Sequence, residues 1–420
     1  MNNQNAVYAQ SGGVTAVINV SAVGVIHACR AHSTQIGKLY AAENGIVGVL
    51  QENLIDTSCE SDADILALKH TPGGAFGSCR YKMKSLEQNQ VEYKRLIEVF
   101  HAHNVGYFFY NGGNDSADTC LKVAQIAQEL GYPLKAIHIP KTIDNDLVVT
   151  DNCPGFGSAA KYVATSIREA GFDLASMCST STQVFILEVM GRHAGWVAAA
   201  AGIASTSAGA SPHMILFPEV AFDQDEFLAI VAACIRDYGY CVMVASEGVK
   251  TPDGKLLTSS SLKDAFGHQQ LGGVAATLAE MVQQNLRVKC HYAISDYLQR
   301  SARHIASLTD VEQAYAVGSE AVKLALAGHN AVMPYIRRIQ SVPYSWDVSF
   351  VPLVEVANKE KFMPRDFIDD RGFHITEKCR EYIEPLIQGE DYPPYVNGLP
   401  QYVKLKCVKV AKKLAEFVFI

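Results

Sequence analysis

Apolar positions along the 420-residue chain fall into short strand-like runs and longer segments in which they recur at helical spacing, and the two kinds alternate over most of its length. "NAVYAQSGG" predicts a strand ending in a glycine turn, and "VTAVINVSAVGVIHACRAH" predicts the helix after it. "VGYFFYNGG" predicts a second strand, followed by the helix "SADTCLKVAQIAQELG", which Gly131 and Pro133 stop. "PLKAIHIP" predicts the next strand. The stretch "KTIDNDLVVTDNCPGFGS" is dense in Gly, Pro, Asn and Asp and suits a crossing between domains. Beyond it the rhythm restarts with the helix "AAKYVATSIREAGFDLASM", the strand "TQVFILEVM" and the helix "GWVAAAAGIAS". "HMILFPEV", "DEFLAIVAACIRDYG" and "YCVMVASEG" continue as strand, helix and strand. "HQQLGGVAATLAEMVQQNL" predicts a helix, "RVKCHYAI" a strand, and "DVEQAYAVGSEAVKLALAGH" a long helix closed by Gly328. This is the pattern of a parallel α/β architecture.

Length and composition sharpen that picture. A chain of this size suits two α/β units. The expected division is an N-terminal unit over 1–150, completed by about 300–341, a second unit over 151–299, and a C-terminal extension over 342–420 that is richer in Pro, Tyr and charge. With 49% apolar residues and a net charge of −7, the chain reads as a soluble globular protein. No Lys/Arg run is long enough to track a nucleic-acid backbone, so nucleic acid is not expected as a partner. The longest apolar run, "WVAAAAGIAS", falls short of a membrane span, and the first residues lack a signal-peptide pattern. Eleven cysteines without a Cys-x-x-Cys pair read as reduced thiols of a cytoplasmic protein.

Ligands of parallel sheets sit beyond the carboxyl ends of the strands, and four loops fall there: 10–13, 111–116, 141–146 and 191–195. In "QSGGV", Gly12 and Gly13 let backbone N–H groups approach an anion, or form a plain strand-to-helix turn. "PKTIDND" is more specific: Asp144 and Asp146 can face one side of an extended loop, with Lys141 just before them. One carboxylate can accept a proton from a hydroxyl while the other holds Mg²⁺, and the ammonium can neutralise phosphate charge. In "MGRHAGW", Arg192 is expected at a helix start, where its charge opposes the macrodipole and a forked phosphate contact would explain it. His193 is read there as a residue without chemistry. Glu247 suits sugar hydroxyls or a solvated cap. Arg80, with Lys82 and Lys84 behind it, and the pair Tyr297 and Arg300 suit phosphate contacts or ordinary surface groups.

In order along the chain, "SGGVTAVIN", "GGNDS", "PKTIDND" and "MGRHAG" resemble the loops of the phosphofructokinase family over roughly the first 330 residues. The resemblance implies two Rossmann-like three-layer domains with mainly parallel sheets, an active site in the cleft between them, fructose 6-phosphate as acceptor and Mg²⁺ as cofactor. It also implies a homodimer or higher homo-oligomer. Carried over by matching position, Asp144 is the proton acceptor and Thr142, Met190, Gly191 and Glu247 contact the sugar. Arg192 stabilises the transferring phosphoryl group, and Tyr297 and Arg300 bind the 6-phosphate. Gly12, Gly13 and Arg80 belong to the donor site, and Asn114 and Asp146 to the metal. Asp115 and Lys141 stand where ATP-using members carry glycine, which resembles the pyrophosphate-dependent branch. Asp115 would put charge and volume where the α-phosphate of ATP lies, and Lys141 would meet the departing phosphate. Asn114, Gln183 and His291 depart from the family pattern, with Lys289 near the last. An ATP enzyme of the same fold, and a non-catalytic subunit that binds sugar phosphate, are the alternative readings.

Overall fold

A computed structural model describes residues 3–207, 209–258 and 271–418. Two sheets carry the fold. The first runs β11 (Ser345–Pro352), β10 (Val332–Gln340), β5 (Lys135–Pro140), β4 (Val105–Gly112), β1 (Gln4–Gln10), β2 (Ile36–Ala42) and β3 (Leu54–Asp56). Its five middle strands are parallel, and β3 and β11 close the edges antiparallel. The second, all parallel, runs β7 (Met214–Leu216), β8 (Cys241–Ser246), β6 (Val184–Val189) and β9 (Cys290–Ile294).

β1 and β4 read as near-continuous apolar runs because both faces of the first sheet are covered. Alternate side chains divide between two cores: Val7, Phe108 and Tyr110 pack on one face with Phe100 and Val123. Tyr8, Phe109 and Ile137 pack on the other with Val23, Ile26 and Val317. On that second face the helices Ile18–Ala31 and Leu308–Leu326 meet almost backbone to backbone. A Cβ at Gly24 would lie 2.4 Å from the Tyr315 carbonyl oxygen, and one at Gly318 2.2 Å from that of Ser21, so neither position tolerates a side chain.

After the second sheet the chain therefore returns to the first, adding the helix Leu308–Leu326 and β10. Position 342, the expected start of the extension, lies in the turn between β10 and β11, so the extension supplies an edge strand of the first sheet. It then straps across the molecule. Leu353 and Val356 join the core of the first unit, Met363, Phe367, Cys379 and Ile383 that of the second, and Leu405 returns to the first. Trp196 anchors the middle of this strap, with ring centroids 5.8 Å from Phe367 and 5.4 Å from Tyr382.

Three expected helices start or break differently. The helix after β4 begins at Asn114 behind Gly113, so Ser116 lies inside its first turn. The "GWVAAAAGIAS" segment is an α-helix only over Trp196–Ala200 and tightens to a 3₁₀ turn over Ala201–Ala204. The helix expected from 268 begins at Val274 behind the left-handed Gly273, and positions 268–270 lie outside the described residues. No helix among the described residues is long and apolar enough to cross a membrane.

Candidate active site

Register fixes the site. Gln10 pairs with Asn111 and Gly112 with Pro140, so loops 11–13, 113–116 and 141–146 leave three adjacent strands side by side. In the second sheet Val189 pairs with Ser246 and Glu188 with Ile294, which aligns loops 190–195, 247–248 and 295–300. The two sets face each other across a cleft of about 1140 Å³. Every candidate residue from the sequence lines it except Gly191, which sits one layer behind, donating its N–H to Glu247 Oε1 (3.4 Å) and accepting from Ser246 Oγ (2.6 Å).

Lys141 is the centre of the first wall. Its buried ammonium donates to the carbonyls of Ser11 (2.8 Å) and Gly13 (2.6 Å). Burial, helped by Arg300 and Arg80, pushes its pKa down to about 7. Gly12 takes φ +74°, a left-handed conformation that suits glycine, and its N–H bonds the Cys79 carbonyl at 2.9 Å. A Cβ on Gly13 would lie 2.6 Å from Arg300 Nη1 and 3.5 Å from Arg80 Nη2. Three cations from different parts of the chain thus converge on one bare stretch of backbone. Arg300 reaches this point from the other wall, stacked 3.9 Å above the exposed ring of Tyr297.

Carboxylates form the floor. Burial raises Asp144 to about 7, with Asp146 and Glu247 adding repulsion and Lys141 and Arg192 opposing it. Its N–H is held by Thr142 Oγ1 at 3.1 Å. Asp146 is also raised by burial, and its Oδ1 is buried with no hydrogen-bond partner among the described residues. Glu247 is raised by burial as well. Glu188, which no sequence motif singles out, accepts from the N–H groups of Gly273 (3.1 Å) and Ala275 (2.8 Å) and so fixes a helix start at the rim.

Three expectations change or gain detail. Asn114 lines the cleft with its amide already engaged by the extension: its oxygen accepts the Asn358 N–H at 2.8 Å and its nitrogen donates to the Lys359 carbonyl. Arg192 lies in a bend ahead of the helix Trp196–Ala200, so its place owes nothing to a helix terminus. Asp115 is not an isolated negative charge, because Lys82 Nζ pairs with it at 2.8 Å. The extension, for which the sequence suggested no role, reaches the cleft through 358–362. Among the described residues no group of three or more His, Cys, Asp or Glu side chains is placed to hold a metal ion by itself.

A family model described as phosphofructokinase matches residues 5–325. The chain is 62% identical over 99% of its length, and all of the relative's, to a pyrophosphate–fructose 6-phosphate 1-phosphotransferase of Halomonas elongata. It is 60% identical to the protein of the same name from Methylococcus capsulatus, over 98% of both chains. Among solved structures, a pyrophosphate-dependent phosphofructokinase from Nitrosospira multiformis shares 60% identity with a TM-score of 0.92, covering 99% of this chain and 100% of that one. The enzyme of that description from Marinobacter aquaeolei shares 58% with a TM-score of 0.91 over the same shares.

Proposed function

The chain belongs to the phosphofructokinase family, and on that premise we propose the roles of its cleft residues in transferring a phosphoryl group from pyrophosphate to the 1-hydroxyl of fructose 6-phosphate. The products are fructose 1,6-bisphosphate and phosphate. The observation that carries the reading is the buried ammonium of Lys141 beside Asp144, at the junction of a cationic wall and an acidic floor.

Asp144 accepts the proton of the 1-hydroxyl as that oxygen attacks one phosphorus of pyrophosphate in line. The bridging P–O bond breaks and its electrons leave with the departing phosphate. Lys141 and Arg80 meet the charge of that leaving group at the bare backbone of Gly12 and Gly13. Arg192 holds the oxygens of the group in transit, which a planar fork of donors suits. Thr142, Met190 and Glu247 orient the sugar, and Gly191 acts from behind by donating its N–H to Glu247. Tyr297 and Arg300 hold its 6-phosphate, and the reach of Arg300 to Gly13 brings acceptor and donor sites under one cation. The unpartnered Oδ1 of Asp146 fits Mg²⁺, which prefers few protein carboxylates and completes its shell with water and substrate phosphates. When bound, Mg²⁺ neutralises pyrophosphate oxygens and lowers the barrier to transfer.

Asp115 excludes nucleotides by its volume and by its ion pair with Lys82, which together occupy the donor loop. The reaction is reversible, since the two phosphoryl donors are of comparable potential. Eleven free thiols support the cytoplasm as its compartment. The edge strand β9, exposed at every residue after Cys290, with Tyr292 among them, supports a homo-oligomer. Purified protein assayed with pyrophosphate and ATP side by side tests the donor and, by showing activity without any partner chain, the catalytic reading itself. Bisphosphate formed with ATP and not with pyrophosphate overturns the donor assignment, and none with either overturns the enzyme.

A further inference from the structure

The segment 358–361 of the C-terminal extension touches three of the six loops that build the cleft. Toward the loop after β4, the Asn358 N–H and the Lys359 carbonyl bracket the Asn114 amide, and Asn358 Nδ2 donates to Asp118 Oδ1 at 2.9 Å. Toward the loop after β5, Glu360 pairs as an isolated antiparallel bridge with Leu147, and the Lys361 N–H donates to the Asp146 carbonyl at 2.7 Å. The Lys361 ammonium is enclosed, donating to the carbonyls of Thr150 (3.1 Å) and Asp151 (2.9 Å) and lying 5.3 Å from the Trp196 ring. Toward the loop after β6, His193 Nδ1 donates to both Glu360 oxygens, at 3.0 and 3.1 Å, in the tautomer that carries hydrogen there. Thus one four-residue stretch, more than two hundred positions from Asn114, holds the loops of Asp115, Asp146 and Arg192 in mutual register.

Two contacts of this stretch cross to the second unit: the Glu360–His193 pair, and Trp196 Nε1, which donates to the Lys361 carbonyl at 3.1 Å. The first of them falls directly beside Arg192, whereas Asn358 and Lys359 are anchored in the first unit. Arg192 sits in a bend next to His193, with no helix to stiffen it. Its guanidinium has to meet a phosphoryl group arriving from the opposite wall.

We propose that Glu360 is a positioning residue for phosphoryl transfer: through His193 it fixes the Arg192 bend against the donor wall, so that the C-terminal extension sets the spacing of the two halves of the active site. The inference rests on the phosphotransferase reading above. Glu360 lines the cleft, and the role argued here is exerted through His193, so its loss is expected to spare substrate binding and to impair the step in which the two walls act together.

The test is steady-state kinetics of Glu360→Ala, Glu360→Gln and His193→Asn beside the parent, each with its thermal midpoint. The parent's pyrophosphate-dependent activity in the same assay is the control for the underlying function. Glu360→Ala and His193→Asn are each expected to lower kcat about tenfold, as expected of a misplaced catalytic group. KM for both substrates is expected to stay within about twofold and the thermal midpoint near the parent's, since a partly exposed pair adds little stability. Glu360→Gln still accepts from His193 and recovers most of the rate. The double variant loses no more than either single, because one link is broken in all three. An active parent with an unchanged kcat in Glu360→Ala and His193→Asn overturns the proposal. So does a loss of rate that follows a matching loss of thermal midpoint in every variant, which would make the pair structural only.

Discussion

The two walls of the cleft differ in how they are held. The donor wall hangs from β1, β4 and β5, three adjacent strands inside a seven-stranded sheet, and its central cation is buried and tied to backbone carbonyls. The acceptor wall hangs from a four-stranded sheet, and part of it follows β9, an edge strand whose residues after Cys290 are exposed. Tyr297 there is 61% exposed, whereas Lys141 is 3%. A rigid wall suits a small, symmetric donor that must be gripped entirely through charge. A looser one suits a sugar phosphate that has many hydroxyls to bind and must enter and leave.

The contrast can be broken first at the floor between the walls. Asp144→Asn should lower kcat about 10³-fold, within the range for a lost general base, with KM for both substrates changed little. An unchanged kcat would remove Asp144 from the chemistry. Replacing both donor residues, Asp115→Gly with Lys141→Gly, should lower pyrophosphate-dependent kcat/KM by about 10²-fold, the scale of one lost electrostatic stabiliser, and admit ATP as donor. A double variant that still rejects ATP would show that these two positions do not set donor choice.

The next probe is pH. Asp144 is raised to about 7, so its carboxylate, the working base, is lost as pH falls below that value. Lys141 is lowered to about 7, so its ammonium is lost as pH rises above it. The kcat/KM profile, which reports the free enzyme, should therefore be a narrow bell near pH 7. Bound phosphate favours the ammonium, so the alkaline limb should move up in the kcat profile, and a limb that stays in place would detach Lys141 from the donor. Smaller again, Lys82→Ala leaves Asp115 uncompensated in the donor loop. It should raise KM for pyrophosphate about threefold, in keeping with a partly exposed ion pair, while leaving KM for fructose 6-phosphate alone. On the looser wall, Tyr297→Leu removes the ring beneath Arg300 and should raise KM for fructose 6-phosphate about twofold, the scale of an exposed cation–π contact. Isothermal titration with the sugar phosphate would separate that loss from any change in rate.

The donor wall was legible in the sequence and the strap across it was not, for physical reasons. β1, β4 and β5 are buried on both faces and leave unbroken apolar runs, and the loops that follow them carry glycine and charge at short, fixed spacing. The site residues Lys141, Asp144 and Asp146 lie within one such loop. Asn358 and Glu360, by contrast, sit in a stretch without apolar periodicity, and what they do depends on Asn114 and His193, partners far away in sequence. His193 read as inert because its partner is supplied by the fold. Lys82 read as one of several surface cations because only the folded chain brings it to Asp115. The misplaced start of the Arg192 helix has a local cause: Gly191 takes φ +147° and the chain bends before the helix Trp196–Ala200 begins, so small residues that suit a helix pattern serve a turn.

Lys141 has one more consequence, for how such an enzyme could change donors over evolutionary time. Its ammonium is hydrogen-bonded to the Ser11 and Gly13 carbonyls, so it helps to hold the loop it serves. Exchanging it for glycine removes the donor from the buried Ser11 carbonyl and the part-buried Gly13 carbonyl, a defect of about 1 to 3 kcal/mol for each group left unsatisfied. A lineage drifting toward nucleotide use would meet that folding penalty before any gain in turnover, and would need a compensating donor nearby first. The order of mutations is therefore constrained, and donor preference is inherited together with the integrity of the fold.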